Sequence, residues 1–579
     1  MTASKTLPLV AALLLTGCVS DDDPTSPAPS EPDPHVELSP TEHLLRASMA
    51  LRGIRPAPGE LEQVAADPST LEGIVDGYLD SSEFGQVIRD MHNEALLSRV
   101  DWAFYPAGFP SVGTLEGVDP FVVNGSVQEA ALRLIEQVVL SGAPYAEIVT
   151  ADYVYVSDIV ATVWGNLDYP AGGSGWQKAH FTDGRPHAGI LSDPWVFTRH
   201  QSTISNNNRG RANAISKALL CYDFLSRDIE IDASIDLSDP EVVANAVVDN
   251  PTCASCHQTL DPMASFFGDY FPIIVPGSLE GYPYDDYNSL AEGDMSQPFY
   301  FPGIFELAGS EPRERAYFGE PGEDVADLGR MIAEDPRFSL CAAKRFYAYF
   351  NQRRIDEVAL SAVADLQLDF VKKGFDAKAL AKAVVLGRDF RRSHATTPTA
   401  AEDLVGVRVV QPNQLSSLIA DLTGFRWMSQ RIVTEDVDLP SVDLVRDSFL
   451  GFQILGGGTD SQFVTSPANT FNATSALLLQ TLAGEAAAHV VASDFAEPDL
   501  DARRLFRVMP EPAGDEAEIR EQIAWLHRRI YGELVTPDDE AVSETFELHL
   551  ALFAEAQNAV RAWEGTVAAM LQDIRVATY

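Results

Sequence analysis

The chain has 579 residues and a formal charge of −44, from 41 Lys and Arg against 85 Asp and Glu. So acidic a chain would repel nucleic-acid phosphates, which excludes nucleic-acid binding as a main function; the charge is typical of a solvated, salt-tolerant surface and would also steer a basic redox partner. The length is that of several domains, and 46% hydrophobic and 9% aromatic residues are usual for a globular protein.

The first 18 residues have the pattern of an export signal. Lys5 is positive, residues 7–15 are apolar but too few to span a bilayer, and Leu15-Thr16-Gly17-Cys18 follows. This ending is typical of a bacterial lipoprotein, cleaved before Cys18 and acylated on it; an ordinary signal peptide with an incidental cysteine is the alternative. The pattern predicts a membrane-anchored protein of the cell envelope, facing the periplasm or the cell surface, and leaves inner and outer membrane undecided.

The next residues, rich in Asp, Pro and Ser, predict a disordered tether. Apolar residues at helical spacing then predict a mainly α, multidomain protein with long irregular loops. We divide the chain into a signal peptide (1–18), a tether (19–37), an N-terminal helical unit (38–110), a mixed helical and loop region (111–210), a module around a cysteine motif (211–310), a second helical unit (311–400) and a C-terminal helical region with a third unit (401–579).

Three segments share one order of predicted elements. Each has a helix, a turn and two further helices, beginning near residues 43, 340 and 523 and closing near Phe84, Phe390 and Ile574. We interpret these segments as a degenerate repeat. The alternative is that any three apolar helices in succession look alike.

The most specific motif is Cys253-Ala254-Ser255-Cys256-His257. Cys-x-x-Cys-His is the pattern of covalent haem attachment, in which the two thiols form thioethers with the porphyrin vinyl groups and the histidine ligates the iron. The motif predicts one covalent haem c, held by Cys253, Cys256 and His257. An exported chain reaches the compartment where haem of this type is attached.

The sequence gives less support to two other functions of a Cys-x-x-Cys pair, zinc binding and thiol redox chemistry. Zinc needs four ligands, and the sequence has no second cysteine pair at similar spacing. A thioredoxin-like redox motif would begin a helix after a strand, and residues 250–252 and 258–262 do not show that pattern.

The chain has five cysteines, and lipid and haem account for three of them. Cys221 and Cys341 remain, and in an oxidising envelope two leftover thiols predict a disulfide. Two separately buried free thiols are the alternative.

Several short motifs occur in the same order as in the planctomycete-cytochrome-type multidomain proteins. They include residues 150–156, Arg209-Gly210, the haem motif with Asp261-Pro262, and residues 338–350 with Cys341. The chain resembles this family over residues 36–393 and more faintly beyond. The resemblance implies an exported, helix-rich protein with a c-type haem module, and it supplies no enzymatic activity. Where the family has Asp-Pro-x-Gly, this chain has Asp261-Pro262-Met263-Ala264, so we expect different packing after the motif.

The sixth ligand of the iron decides between electron transfer and small-ligand chemistry. Met295 is our first choice because it lies downstream on a predicted loop, and Met331, on a predicted helix, is the second. Met263 is so close to His257 in sequence that we expect it in the core. The remaining candidates are three upstream histidines, His180, His187 and His200.

The sequence therefore predicts a lipid-anchored, monohaem, c-type cytochrome-like protein that transfers single electrons, with a redox partner protein. One alternative is a helical scaffold that binds an exported partner and retains the motif as a structural or vestigial element. The other is a haem enzyme, such as a peroxidase or part of an oxidative degradation system. The oligomeric state is left open.

Overall fold

Helices dominate the fold, and the protein is mainly α, as the sequence predicts. The structure is a computed structural model that describes residues 33–100, 115–200, 202, 206–226, 235–236, 238–270, 300, 302–307, 312–402, 404–433, 438–439, 441–507 and 515–579. The predicted signal peptide with Cys18, the tether up to residue 32 and Met295 lie outside these residues.

The described residues form 24 α-helices. They are α1 Pro40–Arg52, α2 Pro58–Ala66, α3 Leu71–Leu79, α4 Ser82–Leu96, α5 Pro120–Leu140, α6 Glu147–Thr150, α7 Asp158–Trp164, α8 Pro194–Arg199, α9 Arg209–Leu220, α10 Pro240–Asp249, α11 Pro251–Ser265, α12 Ile304–Leu307, α13 Val325–Glu334, α14 Pro336–Asn351, α15 Leu360–Lys372, α16 Ala377–Val385, α17 Arg388–Arg391, α18 Pro398–Ala401, α19 Pro412–Thr423, α20 Ala473–Ala496, α21 Glu516–Leu526, α22 Glu540–Ala556, α23 Ala559–Leu571 and α24 Ile574–Ala577. A π-helix, His527–Tyr531, continues α21.

The predicted three-fold order of elements appears in the structure. The first unit is α1 to α4, the second is α14 to α17, and the third is α21 to α24. The first helix of each unit ends in a left-handed residue, at Gly53, Gln352 and Gly532, with φ of 69°, 48° and 75°. This ending stops the helix and turns the chain toward the next one. The three segments are therefore alike in the order of their elements.

Two large hydrophobic cores divide the fold. One contains residues of the first unit, α5, α9, α11 and the second unit, so segments expected as separate domains share one core. The other contains α19, α20 and the third unit, together with Met49 from α1. A smaller core is formed around the start of α5, α7 and Trp195.

Strands are short and occur in antiparallel pairs. They are β1 His35–Glu37 with β6 Arg392–Ala395, β2 Val154–Val156 with β3 Gln177–Ala179, β4 Ala316–Tyr317 with β5 Glu320–Pro321, and β7 Ile432–Val433 with β8 Asp438–Leu439. The predicted tether extends to residue 37, but its last three residues, 35–37, form strand β1. His35 faces Ala395 in the β1–β6 pair, and backbone pairing of this kind overrides the polar composition.

One described helix, α20, is long and apolar enough by length and composition to cross a membrane. Half of its most apolar stretch is buried within the protein. It packs against α19 and α23, which is the arrangement of a core helix.

A disulfide joins Cys221 to Cys341, the pairing that the cysteine count predicts. Cys221 ends α9 in a left-handed conformation, and Cys341 is fully buried in α14. The bond links the helix before the haem motif to the first helix of the second unit, with a sequence separation of 120 residues.

Replacing both cysteines by alanine, Cys221→Ala with Cys341→Ala, should lower the free energy of unfolding by about 2 to 5 kcal/mol, because the unfolded chain loses a long covalent loop. Urea unfolding measures the change. Wild-type protein unfolded in the presence of a thiol reductant is the control, and it should lose the same free energy of unfolding because its Cys221–Cys341 bond is broken. Alkylation of Cys221 and Cys341 in the unreduced, denatured protein would contradict the bond.

Helix α1 connects the three units through buried cationic side chains. Arg46 donates to the carbonyl oxygens of Phe390 at 2.9 Å and Arg392 at 2.8 Å, at the end of the second unit. Arg55, which follows α1 and is 2% exposed, donates to the carbonyl oxygens of Ile530 at 3.0 Å and of Arg575 in the third unit. Burial lowers the pKa of both Arg46 and Arg55 to about 10, so both remain charged at neutral pH.

Arg55→Leu should destabilise the protein by about 2 to 4 kcal/mol, because it removes hydrogen bonds from a charged donor and leaves buried carbonyl groups unpaired. Arg354→Leu, at an exposed position where the side chain pairs with the neighbouring carboxylates of Asp356 and Glu357, should leave the free energy of unfolding almost unchanged. Chemical unfolding compares the two variants. Equal losses would mean that Arg55 does not connect the units.

Candidate functional site

The haem motif occupies the first two turns of α11. Asn250 caps this helix, its side-chain oxygen accepting from the backbone N–H of Thr252 at 3.0 Å and of Cys253 at 3.4 Å. Pro251 follows at the first helical position, where a missing N–H costs nothing. The local sequence therefore begins a helix directly at the motif.

Both motif cysteines are free thiols in the structure. Cys253 is half-buried and Cys256 is 6% exposed. Residues three apart lie on the same side of a helix, so the two sulfur atoms share one face of α11. This pair is therefore available for two thioether bonds to one porphyrin.

The imidazole of His257 has a fixed orientation. Its Nδ1 donates to Oδ1 of Asp261 at 2.9 Å, one helical turn further on. Arg209 holds the same carboxylate through both oxygens, at 2.7 and 2.9 Å. Because a carboxylate accepts only, the proton of a neutral imidazole is on Nδ1, and its Nε2 lone pair is left for a metal.

The charge of Asp261 is stabilised inside the protein, where its side chain is 5% exposed. Burial would raise the pKa of this carboxyl, but hydrogen bonds from His257 and Arg209, and their charges, outweigh burial and lower it to about 2. An ionised partner on Nδ1 strengthens the imidazole as an electron donor through Nε2.

Helix α9 positions α11 from one side. Asn208, just before α9, donates from Nδ2 to the carbonyl oxygen of Phe267 at 3.0 Å, and Arg209 makes the ion pair with Asp261. On the other side of α11, Leu260 and Met263 are buried in the large core.

Reasoning from sequence missed the pairing of His257 with Asp261 and Arg209. The four-residue spacing between His257 and Asp261 is a signal that would have found the first contact. Arg209 is 52 residues from Asp261, and no local pattern indicates that contact.

The segment after the motif packs as a continuation of the core. Met263 and Ala264, the two residues after Pro262, are buried within α11. Asp269 then accepts from Arg315 at 2.6 Å, and Tyr270 stacks on Phe197 with ring centroids 4.2 Å apart.

The structure describes five of the six candidate sixth ligands. Met263 is completely buried, in agreement with the expected core role, and Met331 is 2% exposed in the same core. His180 pairs with Asp168, His187 accepts from the backbone N–H of Phe181, and His200 bonds to the carbonyl oxygen of Leu96. Each described candidate is thus packed or hydrogen-bonded without the motif.

Several observations bear on whether the residues fit a haem. The donor set fits, with two thiols and an oriented imidazole on one helix. The neighbouring helix α10 exposes Val242 by 38% and Val248 by 50%, an apolar surface of the kind that a porphyrin contacts. Two cavities in the described part of the chain are lined by residues other than the motif. Among the described residues, no group of three His, Cys, Asp or Glu side chains is arranged to hold a metal ion.

Comparison of the chain with family models, with curated proteins and with solved structures found no match. The site is therefore interpreted from its own residues.

Asp261→Asn should change the response to acid. The pKa of the Asp261 carboxyl is about 2 in the folded protein, against the ordinary value of 3.8. Ionisation of this carboxyl therefore stabilises the fold above pH 4, and the stabilisation is lost as the pH falls toward 2. Between these pH values the free energy of unfolding of the wild type should fall by about 2 kcal/mol more than that of the variant.

Urea unfolding at several pH values measures this difference. Asp80→Asn, at an exposed position, should keep the wild-type profile. Identical profiles for Asp261→Asn and the wild type would show that the Asp261 ion pairs do not stabilise the fold.

Proposed function

We propose that this protein is a lipid-anchored, c-type cytochrome-like protein of the bacterial envelope that transfers single electrons through one covalent haem. The observation that carries the proposal is the joint arrangement of the motif: two free thiols on one face of α11, and an imidazole whose Nδ1 is held by Asp261. A motif present by chance has no reason to include a buried carboxylate one turn away that leaves Nε2 for a ligand.

The proposed roles of the residues follow from their chemistry. Cys253 and Cys256 would each add S–H across one vinyl group, forming a thioether without any external oxidant or reductant. His257 would supply the axial nitrogen, and Asp261 with Arg209 would keep its ring in place. The bound haem would supply the Fe(III)/Fe(II) couple.

The remaining parts of the proposal rest on the sequence. The signal pattern ending at Cys18 supports a lipid anchor, and the charge of −44 supports attraction of a basic redox partner. Met295 remains the proposed sixth ligand on its position in the sequence.

Expression with c-type maturation machinery should give a haem that stays attached in a denaturing gel. Cys253→Ala with Cys256→Ala should abolish this covalent haem. His257→Ala should keep the thioethers and change the absorption spectrum, since the axial nitrogen is lost. His394→Ala is the matched control because it removes an exposed histidine that is not a candidate ligand, and it should leave the spectrum unchanged.

Carbon monoxide and potentiometry separate the proposal from its alternatives. A saturated iron should show little change with carbon monoxide, and Asp261→Asn should raise the midpoint potential because the imidazole becomes a weaker donor. A large carbon monoxide shift would favour a haem enzyme. Absence of haem in the intact, matured protein would reject electron transfer and favour a binding scaffold.

A further inference from the structure

A polar cavity lies between the first unit and the C-terminal region, apart from the haem motif. Its volume is about 200 Å³. The walls come from α4, α5, the start of α19 and the irregular segment before α20, and are formed by Gln86, Arg89, Asn93, Arg99, Glu129, Asn413, Arg446, Gln453 and Thr459.

The wall formed by α4 and α5 is an interlocked ion network. Arg89 contacts Glu129 at 2.6 Å, and Arg99 contacts both Asp90 at 2.5 Å and Glu129. Gln86 joins the network by donating to Asp90 at 2.9 Å and accepting from Arg89 at 2.6 Å. These groups satisfy one another, so this wall is rigid and electrically balanced.

The opposite wall is shaped by the glycine triplet at residues 456–458. Gly457 has φ of 98°, which favours glycine. A Cβ on Gly456 would lie 3.0 Å from Pro412 Cγ, and one on Gly458 would lie 2.7 Å from Gln453 Cγ. The triplet therefore lets the turn that carries Gln453 and Thr459 fold tightly beside the start of α19.

This second wall offers polar groups that the protein does not use. The side chains of Asn413, Gln453 and Thr459 make no hydrogen bond to any described residue. Arg446 donates to the carbonyl oxygen of Asn413 at 3.1 Å and to Ser417, and its buried Nε has no hydrogen-bond partner among the described residues. Two amides, a hydroxyl and a guanidinium thus line the cavity together with the ion network.

The chemistry of the free groups defines the ligand class. Nearby carboxylates neutralise the positive charges of the arginines in the cavity wall, which are Arg89, Arg99 and Arg446. The carboxylate of Asp443 lies 3.9 Å from Arg446. The cavity therefore favours a neutral ligand over an anion. Amide and hydroxyl side chains both donate and accept hydrogen bonds. Hydroxyl groups on a ligand do the same and are therefore suitable partners for them. The cavity volume of about 200 Å³ is below the roughly 300 Å³ at which pockets for drug-sized ligands begin. A cavity of this size fits a single sugar ring.

We propose that this cavity binds a neutral, polyhydroxylated molecule of monosaccharide size, with Gln453, Thr459 and Asn413 as the selecting side chains. The ion network of α4 and α5 forms the rigid floor against which the ligand lies. This proposal is independent of haem.

The test uses the full exported chain and ligand-observed NMR with D-glucose, D-galactose, D-xylose and myo-inositol as probes. At least one should bind to the wild type. Gln453→Ala and Thr459→Val should each weaken binding about two- to tenfold, the effect of losing one neutral hydrogen bond. Gln462→Ala makes the matched change at an exposed residue of the same segment, outside the cavity, and should bind like the wild type.

Circular dichroism and thermal unfolding verify that each variant is folded. Absence of binding by all four probes would overturn the proposal, as would equal binding by the wild type and both cavity variants. Acetate and inorganic phosphate form the second arm of the experiment. If an anion binds at this cavity and the neutral probes do not displace it, the assigned ligand class is wrong.

Discussion

The fold depends on buried guanidinium groups bound to the carboxyl ends of helices. Arg55 donates to Ile530 at the end of the π-helix, Arg408 to Phe350 at 2.9 Å at the end of α14, and Arg211 to Phe197 at 3.0 Å near the end of α8. Arg345 likewise donates to Ala218 in the last turn of α9, and the half-buried Arg199 donates to Leu97 at the end of α4. The last carbonyl groups of a helix lack partners and carry its partial negative charge, so a buried cation satisfies both needs.

This kind of contact explains how an acidic chain keeps its arginines inside. Burial lowers the pKa of Arg211 and of Arg408 to about 9 each, so both remain charged at neutral pH. Arg211 donates to the carbonyl oxygens of His200 and Phe197, and Arg408 donates to that of Phe350. Helix ends thus act beside carboxylates such as Asp261 and Glu129 as partners of interior arginines. The haem motif depends on the same framework, because α14 holds α9 through Arg345 and the disulfide, and Arg209 of α9 holds Asp261. Helix α9 also packs against α4, which forms part of the polar cavity.

What could be predicted from sequence was local or compositional. Helical spacing predicted the mainly α class, and the count of cysteines predicted the pair Cys221 and Cys341. The order of elements in the three units could also be predicted, because turn residues such as Gly53 and Gly532 end a helix by their own conformational preference. The strand His35–Glu37 was missed because it forms only through a partner more than 350 residues later.

The parts of the sites that were missed need tertiary contacts. Asp261 is four residues from His257 and was within reach of a pattern argument, whereas Arg209 comes from another helix. The polar cavity combines residues near 90, 130, 413 and 453, and no pattern within one segment indicates that they meet. The glycines at 456–458 allow close packing against Pro412 and Gln453, and the sequence of the triplet alone does not indicate these partners.

The pair of strands β1 and β6 gives the residues before His35 a defined mechanical attachment. A pulling force on that part of the chain would first act on the β1–β6 pair and then on α1. The pair has three paired positions, from His35 with Ala395 to Glu37 with Arg392. From α1 the load passes through Arg46 and His43 to carbonyl oxygens of the second unit and through Arg55 to those of the third. A force on the N-terminus would thus pass from one short strand pair into all three helical units.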